Sequence, residues 1–198
     1  WGRYLFSTRR FEEAAAAMAK AAALAPEAAQ PIRDLADIQA TALKRPDLAE
    51  ASYRRAIALA PDHAGSRFGL AAALVAQRKY ADALDALSGA RALDTGNARV
   101  PLAIAEVRLA MGQPYEALAA FQEARALQPN LIAAQLGAAD VLARIERYDD
   151  AIAGYRAVLA IDPAAVPARL GLAGALMLQG DARGAEIEYR GIADANPN

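Results

Sequence analysis

Cysteine is absent from the 198 residues, and histidine occurs once. These gaps remove disulfides, thiolate metal sites and cysteine nucleophiles. They also leave His63 with no second imidazole or thiolate to share a metal. In "APDHAG" it reads as a solvated loop residue. Long apolar runs are missing too. The longest candidate, "AAAAMAKAAALA" at 14–25, is interrupted by Lys20 and ended by Pro26, well short of the ~20 residues that span a bilayer. There is no excess of one charge: 22 basic and 23 acidic residues leave a net charge of −1. Nucleic acid and anionic membrane surfaces are held by clustered Lys and Arg, so neither is expected as a partner. Glycine-rich phosphate motifs are lacking, since the glycines of "GLAGALMLQG" (171–180) fall inside a helical pattern and not in a strand-to-helix loop. Asp149 and Asp150 begin a helix, where acids suit the dipole and read as capping residues. No catalytic residue, metal site or cofactor is expected, and the chain reads as non-enzymatic.

What is present is alanine and a period. The chain is 56% hydrophobic but only 6% aromatic, and its alanines favour closely packed helices over a thick core of large side chains. Pro61, Pro129, Pro163 and Pro197 stand 68, 34 and 34 residues apart, with Thr95 at the skipped midpoint. Pro26 precedes Pro61 by 35 residues, which places one extra residue in the second unit, within "LKRPD" (43–47). On this period Ala14, Ala49, Ala83, Ala117, Ala151 and Ala185 form one column without exception. Four residues later come Met18, Tyr53, Leu87, Phe121, Tyr155 and Tyr189, expected as core knobs. Three further on come Ala21, Ala56, Ala90, Ala124, Val158 and Ile192. Spacings of four and three put these columns on one helix face.

An earlier segment of each unit supplies a second face. Trp1, Leu35, Leu70, Ile104, Ala138 and Leu172 form one column, followed by the small residues Gly2, Ala36, Ala71, Ala105, Ala139 and Ala173. Three positions later stand Leu5, Gln39, Leu74, Arg108, Leu142 and Leu176, where Gln39 and Arg108 should loosen the packing of the second and fourth units. Turn formers such as Gly112–Pro114 and Gly180–Ala182 separate the two segments. The unit is therefore helix, tight turn, helix and a Pro-marked break. Six units follow, at 1–28 (partial), 29–63, 64–97, 98–131, 132–165 and 166–198.

At these columns the chain resembles the tetratricopeptide repeat family. The large/small pair in "GLA" (69–71 and 171–173), the turns "RKYADAL" and "ERYDDAI", the alanine column and the closing proline carry the resemblance, which covers essentially the whole chain. The aromatic residue that opens many such repeats is replaced by Ile32, Arg67, Pro101, Gln135 and Arg169. The resemblance implies an all-α, right-handed superhelical solenoid, a single array with the first helix of each unit lining a concave groove. It further implies a protein- or peptide-binding scaffold. In this register the groove carries Arg33, Phe68, Leu102, Leu136 and Leu170 in one column. Ala40, Val75, Leu109, Ala143 and Met177 form a second, seven residues on, with Asp37, Ala72, Glu106, Asp140 and Gly174 between them. Gly69, Ala103, Gly137 and Gly171 should leave room beside them. The expected partner is an amphipathic or extended segment with apolar anchors and basic or amide groups. Family members that clamp a C-terminal carboxylate use paired bases and Asn in the groove. Here Phe68, Leu102 and Leu136 replace the base, and Ala72, Glu106 and Asp140 replace Asn, so that ligand is not expected.

Two alternatives stand beside the scaffold: a repeat domain of a larger bacterial enzyme, of sulfotransferase or glycosyltransferase type, and a periplasmic scaffold for exopolysaccharide or pilus export. The high alanine, leucine and arginine usage is of a bacterial kind, and a cysteine-free chain suits cytoplasm or periplasm. A start at Trp1 reads as a fragment or processed form. The absence of polar capping helices predicts that the apolar end at 166–198 either continues into further chain or self-associates.

Overall fold

The computed structural model describes residues 2–195. They form two compact units, divided between Thr95 and Gly96. The first contains α1 (Gly2–Ser7), α2 (Phe11–Leu24), α3 (Ala29–Asp37), a π-helical turn (Ile38–Ala42), α4 (Pro46–Leu59), α5 (Ala64–Ala76) and α6 (Tyr80–Leu93). The second contains α7 (Arg99–Ala110), α8 (Pro114–Leu127), α9 (Ile132–Arg144), α10 (Tyr148–Ile161), α11 (Val166–Gln179) and α12 (Ala182–Ala195). There is no strand among the described residues. Each unit is a stack of three helical hairpins. Odd-numbered helices open a hairpin and even-numbered ones close it. Each closing helix packs on the opening helix of the next hairpin within its unit: α2 on α3, α4 on α5, α8 on α9, α10 on α11.

The columns read from sequence explain this packing. All six alanines of the invariant column are wholly buried. The small column of the opening helices, from Ala36 to Ala173, is equally buried. Small side chains here let the two helices of a hairpin approach closely, and any larger residue would force them apart. The large knobs follow the same logic up to a point. Met18, Tyr53, Leu87, Phe121 and Tyr155 are 9% exposed or less, but Tyr189 is 46% exposed. The expectation that Tyr189 is a core knob is therefore corrected. Tyr53, Phe121 and Tyr155 are each covered by the next opening helix, and no described hairpin follows α12. In α2 the third position of the column is taken by Ala22, not Ala21, and Ala22 joins Ile32 and Ala56 in a small core. Trp1 and Pro197 lie outside the described residues.

Backbone geometry at the two kinds of connection is equally regular. Every hairpin turn contains one left-handed residue: Arg9, Lys44, Arg78, Gly112, Glu146 and Gly180, with φ between 55° and 95°. Four of these are not glycine, so each holds a conformation that costs about 1–2 kcal/mol for an L-residue. The return is a closed turn, in which the amide of Lys79 donates to Leu74 O and that of Arg147 to Leu142 O. At the break between hairpins, Ala25, Ala60, Gln128 and Asp162 adopt φ of −130° to −139° before their prolines, as proline demands of its predecessor. Asp94 has the same backbone, φ −141°, before Thr95. The break thus survives loss of its proline.

The extra residue of the second hairpin is not in 43–47. It is absorbed in the π-helical turn Ile38–Ala42, where the Leu43 amide reaches back five residues to Ile38 O. The turn-closing bond shows the same slip. Leu5, Leu74, Arg108, Leu142 and Leu176 accept from the residue five ahead, whereas Gln39 accepts from Arg45, six ahead. A widened helical turn keeps Ile38 buried at 4% and leaves the hairpin turn unchanged. Gln39 and Arg108, the polar residues of the leucine column, each have a partner: Gln39 Oε1 accepts from Ser52 Oγ at 2.8 Å, and Arg108 donates to Gln113 Oε1 at 2.7 Å.

Candidate functional site

The opening helices bury one side against their closing partners and leave the other uncovered. In residues 1–95 that uncovered face carries Arg33 and Asp37 on α3 and Phe68 and Val75 on α5. Arg33, Phe68 and Val75 are half-buried and Asp37 is exposed. A cleft of about 280 Å³ opens there, lined by Arg33, Asp37, Tyr53 and His63 among others. His63 is exposed, as a loop residue should be, but it also caps α5: the Ser66 amide donates to its Nδ1 at 3.0 Å. That bond needs the Nδ1 lone pair, so the neutral ring carries its proton on Nε2.

In residues 96–198 the face is more apolar. Leu102 and Leu109 on α7 and Leu136 on α9 are half-buried; Leu170 and Met177 on α11 are 48% and 52% exposed. Leu178, 66% exposed, extends the apolar surface. Sequence reading missed it, although the signal existed: the equivalent positions hold Ala76, Ala110 and Arg144. Between the two apolar columns run Glu106, Asp140 and Gly174. Both acids are exposed, and a Cβ added at Gly174 would meet nothing within 4 Å.

The acids are not equivalent. Tyr53 Oη donates to Asp37 Oδ1 at 2.5 Å, and Tyr155 Oη donates to Asp140 Oδ1 at 2.7 Å. Burial, and then the neighbouring carboxylate, push both tyrosine hydroxyls well above the usual phenol range, so they stay donors. Asp37 and Asp140 are therefore partly committed to holding their own hairpins. Glu106 occupies the same column opposite Phe121, which has no hydroxyl, and it makes no hydrogen bond or ion pair among the described residues.

The glycines beside this face do not leave the room expected of them. A Cβ on Gly69 would overlap the Tyr53 ring, one on Gly137 the Phe121 ring, and one on Gly171 the Tyr155 ring. The space is filled from within by the preceding hairpin's knob. The position of the missing opening aromatic has also found a structural use. Arg67, Gln135 and Arg169 donate to the carbonyls of Pro61, Pro129 and Pro163, tying each opening helix to the break before it. Asp150 pairs with Arg147, and Asp149 accepts from Gln179. Both acids stand in the first turn of α10, where acids were expected.

Among the described residues no group of His, Asp and Glu could hold a metal, and no helix is long and apolar enough to cross a membrane. Two family profiles, both described as tetratricopeptide repeat, match the chain. One covers residues 40–100 and 146–198, the other 1–62 and 102–166. No protein of curated function matches in sequence. Among solved structures, the chain is similar to YrrB, described as a tetratricopeptide protein with an unusual peptide-binding site. That likeness has a TM-score of 0.75 at 23% identity, over 93% of this chain and 94% of that one. Similarity to pilF of Pseudomonas aeruginosa has a TM-score of 0.80 at 23% identity, over 100% and 89% of the two chains. The C-terminal part of a repeat protein from Cytophaga hutchinsonii gives 0.85 at 16% identity, over 98% and 77%.

Proposed function

The chain belongs to the tetratricopeptide repeat family, and we propose that it is a non-catalytic scaffold that binds a protein or peptide segment on the uncovered face of its opening helices. The observation that carries this is the distribution of exposed apolar residues in 96–198. Leu170, Met177 and Leu178 stand together on α11, in line with Leu102, Leu109 and Leu136. Closing helices expose single leucines near their ends, such as Leu93 and Leu127, and α12, which no described hairpin follows, also exposes Ile187 and Tyr189. Anchors in such a face supply most of the binding energy, about 1–2 kcal/mol or more each. Within residues 1–95, Phe68 and Val75 occupy the corresponding columns of α5. That YrrB is described by a peptide-binding site agrees with this use of the fold.

A random peptide library selected against the chain tests the reading. Selected binders should lose at least tenfold in affinity for the Leu102→Ser/Leu136→Ser variant. They should bind normally to Ile187→Ser, altered at an exposed position of the last closing helix. Binders indifferent to the double variant, in a protein that still melts cooperatively, would rule the face out.

A further inference from the structure

Resting on that reading, the geometry of 96–198 also says which kind of segment fits. Three features lie one repeat apart on α7, α9 and α11: the unpaired carboxylate of Glu106, the partly committed carboxylate of Asp140, and the side-chain-free surface at Gly174. Leu170 and Met177, both about half exposed, stand one turn before and one turn after Gly174 on α11. Charge therefore falls and apolar surface rises from one hairpin to the next. The flanking columns, Leu102/Leu136/Leu170 and Leu109/Ala143/Met177, are seven residues apart along each helix, or about 10 Å at 1.5 Å per residue. Their side chains narrow that width further. An α-helix, itself about 10–12 Å across with side chains, is too wide for the channel, whereas an extended chain fits.

We infer that this face takes an extended segment with a lysine or arginine opposite Glu106 and a large apolar side chain seated at Gly174. At about 8–10 Å per step between successive opening helices and about 3.3 Å per residue of extended chain, the two recognition points are about five to six residues apart in the partner. Glu106 is the group that reads the cation. Phe121, which cannot donate to it, leaves it free to do so, whereas Tyr155 holds Asp140. Selectivity for a basic residue then depends on one missing hydroxyl in the core beneath the face.

Fluorescence anisotropy with four labelled peptides tests this: Lys-x5-Phe and Phe-x5-Lys, which cover both chain directions, a Glu-x5-Phe control and a Lys-x2-Phe control, where x is Ser or Thr. One of the first two should bind the chain at least tenfold more tightly than either control. Glu106→Gln should weaken that peptide at least threefold and abolish its advantage over Glu-x5-Phe; Glu116→Gln, on the exposed side of α8, should not. Gly174→Leu should occupy the open surface between Leu170 and Met177 and weaken that peptide at least tenfold, with the melting temperature unchanged or raised. Equal binding of the Lys and Glu peptides, an unaltered preference in Glu106→Gln, or no binding of either cation–aromatic peptide overturns the inference. The broader scaffold reading would survive any of these if the library yields binders of another composition that depend on Leu102 and Leu136.

Discussion

The second and fourth hairpins carry related devices: the fourth lacks the ring hydroxyl and has a carboxylate one methylene longer. In the second, Tyr53 fills the knob position and its hydroxyl engages Asp37. In the fourth, Phe121 fills the same position at 2% exposure and leaves Glu106 unengaged. The ring does the same packing work in both, and the hydroxyl decides what becomes of a carboxylate on the outer face. Core and binding surface are thus not independent in this repeat. A substitution that looks conservative from inside the core changes which charges the surface can offer a ligand.

The comparison can be broken most forcefully at the glycines that receive the rings. Gly137→Ala would drive a methyl into Phe121, and Gly69→Ala would do the same to Tyr53. Each should cost about 2–3 kcal/mol in a urea melt. Gly174→Ala meets open space and should instead stabilise the chain, by up to about 1 kcal/mol, because alanine is the better helix former. Tyr53→Phe turns the second hairpin into a likeness of the fourth. It removes a hydrogen bond to a charged acceptor and should cost about 1–2 kcal/mol, with Asp37 freed.

Glu50 supplies a pH-dependent counterpart. Its carboxylate lies on α4 and accepts from Lys79 Nζ at 2.7 Å, Gln77 Nε2 at 2.9 Å and Arg54 Nε at 3.0 Å, tying the second hairpin to the turn of the third. The Lys79 bond foremost, with help from Gln77 and Arg54, lowers its pKa to about 2. A depressed folded pKa contributes stability above the unfolded value, and that stability is lost as pH falls through the folded one. Wild type should therefore exceed Glu50→Gln by about 1–2 kcal/mol at neutral pH. The gap should narrow between about pH 4.5 and pH 2 in chemical denaturation at stepped pH. The smallest effect belongs to the turns. Arg78→Gly and Glu146→Gly relieve left-handed strain and should each stabilise by about 0.5–1 kcal/mol in thermal melts, while Gly112→Ala should cost about as much.

Much of the fold was legible because its constraints repeat. An alanine six times in phase, and turn formers at the same offset in five of the six units, are signals that one irregular unit cannot hide. The misreadings arose where a repeat departs from its neighbours. A one-residue slip between Pro26 and Pro61 does not say whether a loop or a helix absorbs it, and here a π-helical turn did. Tyr189 shares its column with buried knobs, but burial comes from the hairpin that follows, which a column cannot display. Gly69, Gly137 and Gly171 read as empty space because a single column shows small size and not what fills the gap. The resemblance put the candidate face on the opening helices, and periodicity chose the columns within them. Which of its acids were already engaged could not be read from one column. It required pairing two columns, Asp37 with Tyr53 and Glu106 with Phe121, that lie 15 or 16 residues apart.

The most direct test of the account is a methyl NMR titration of the chain with a peptide selected from the library. Shifts confined to Leu102, Leu109, Leu136, Leu170 and Met177, with Leu118, Leu127 and Ile152 of the closing helices unmoved, is the predicted result. Shifts centred on the closing helices, with the five opening-helix methyls unchanged at saturation, would contradict it.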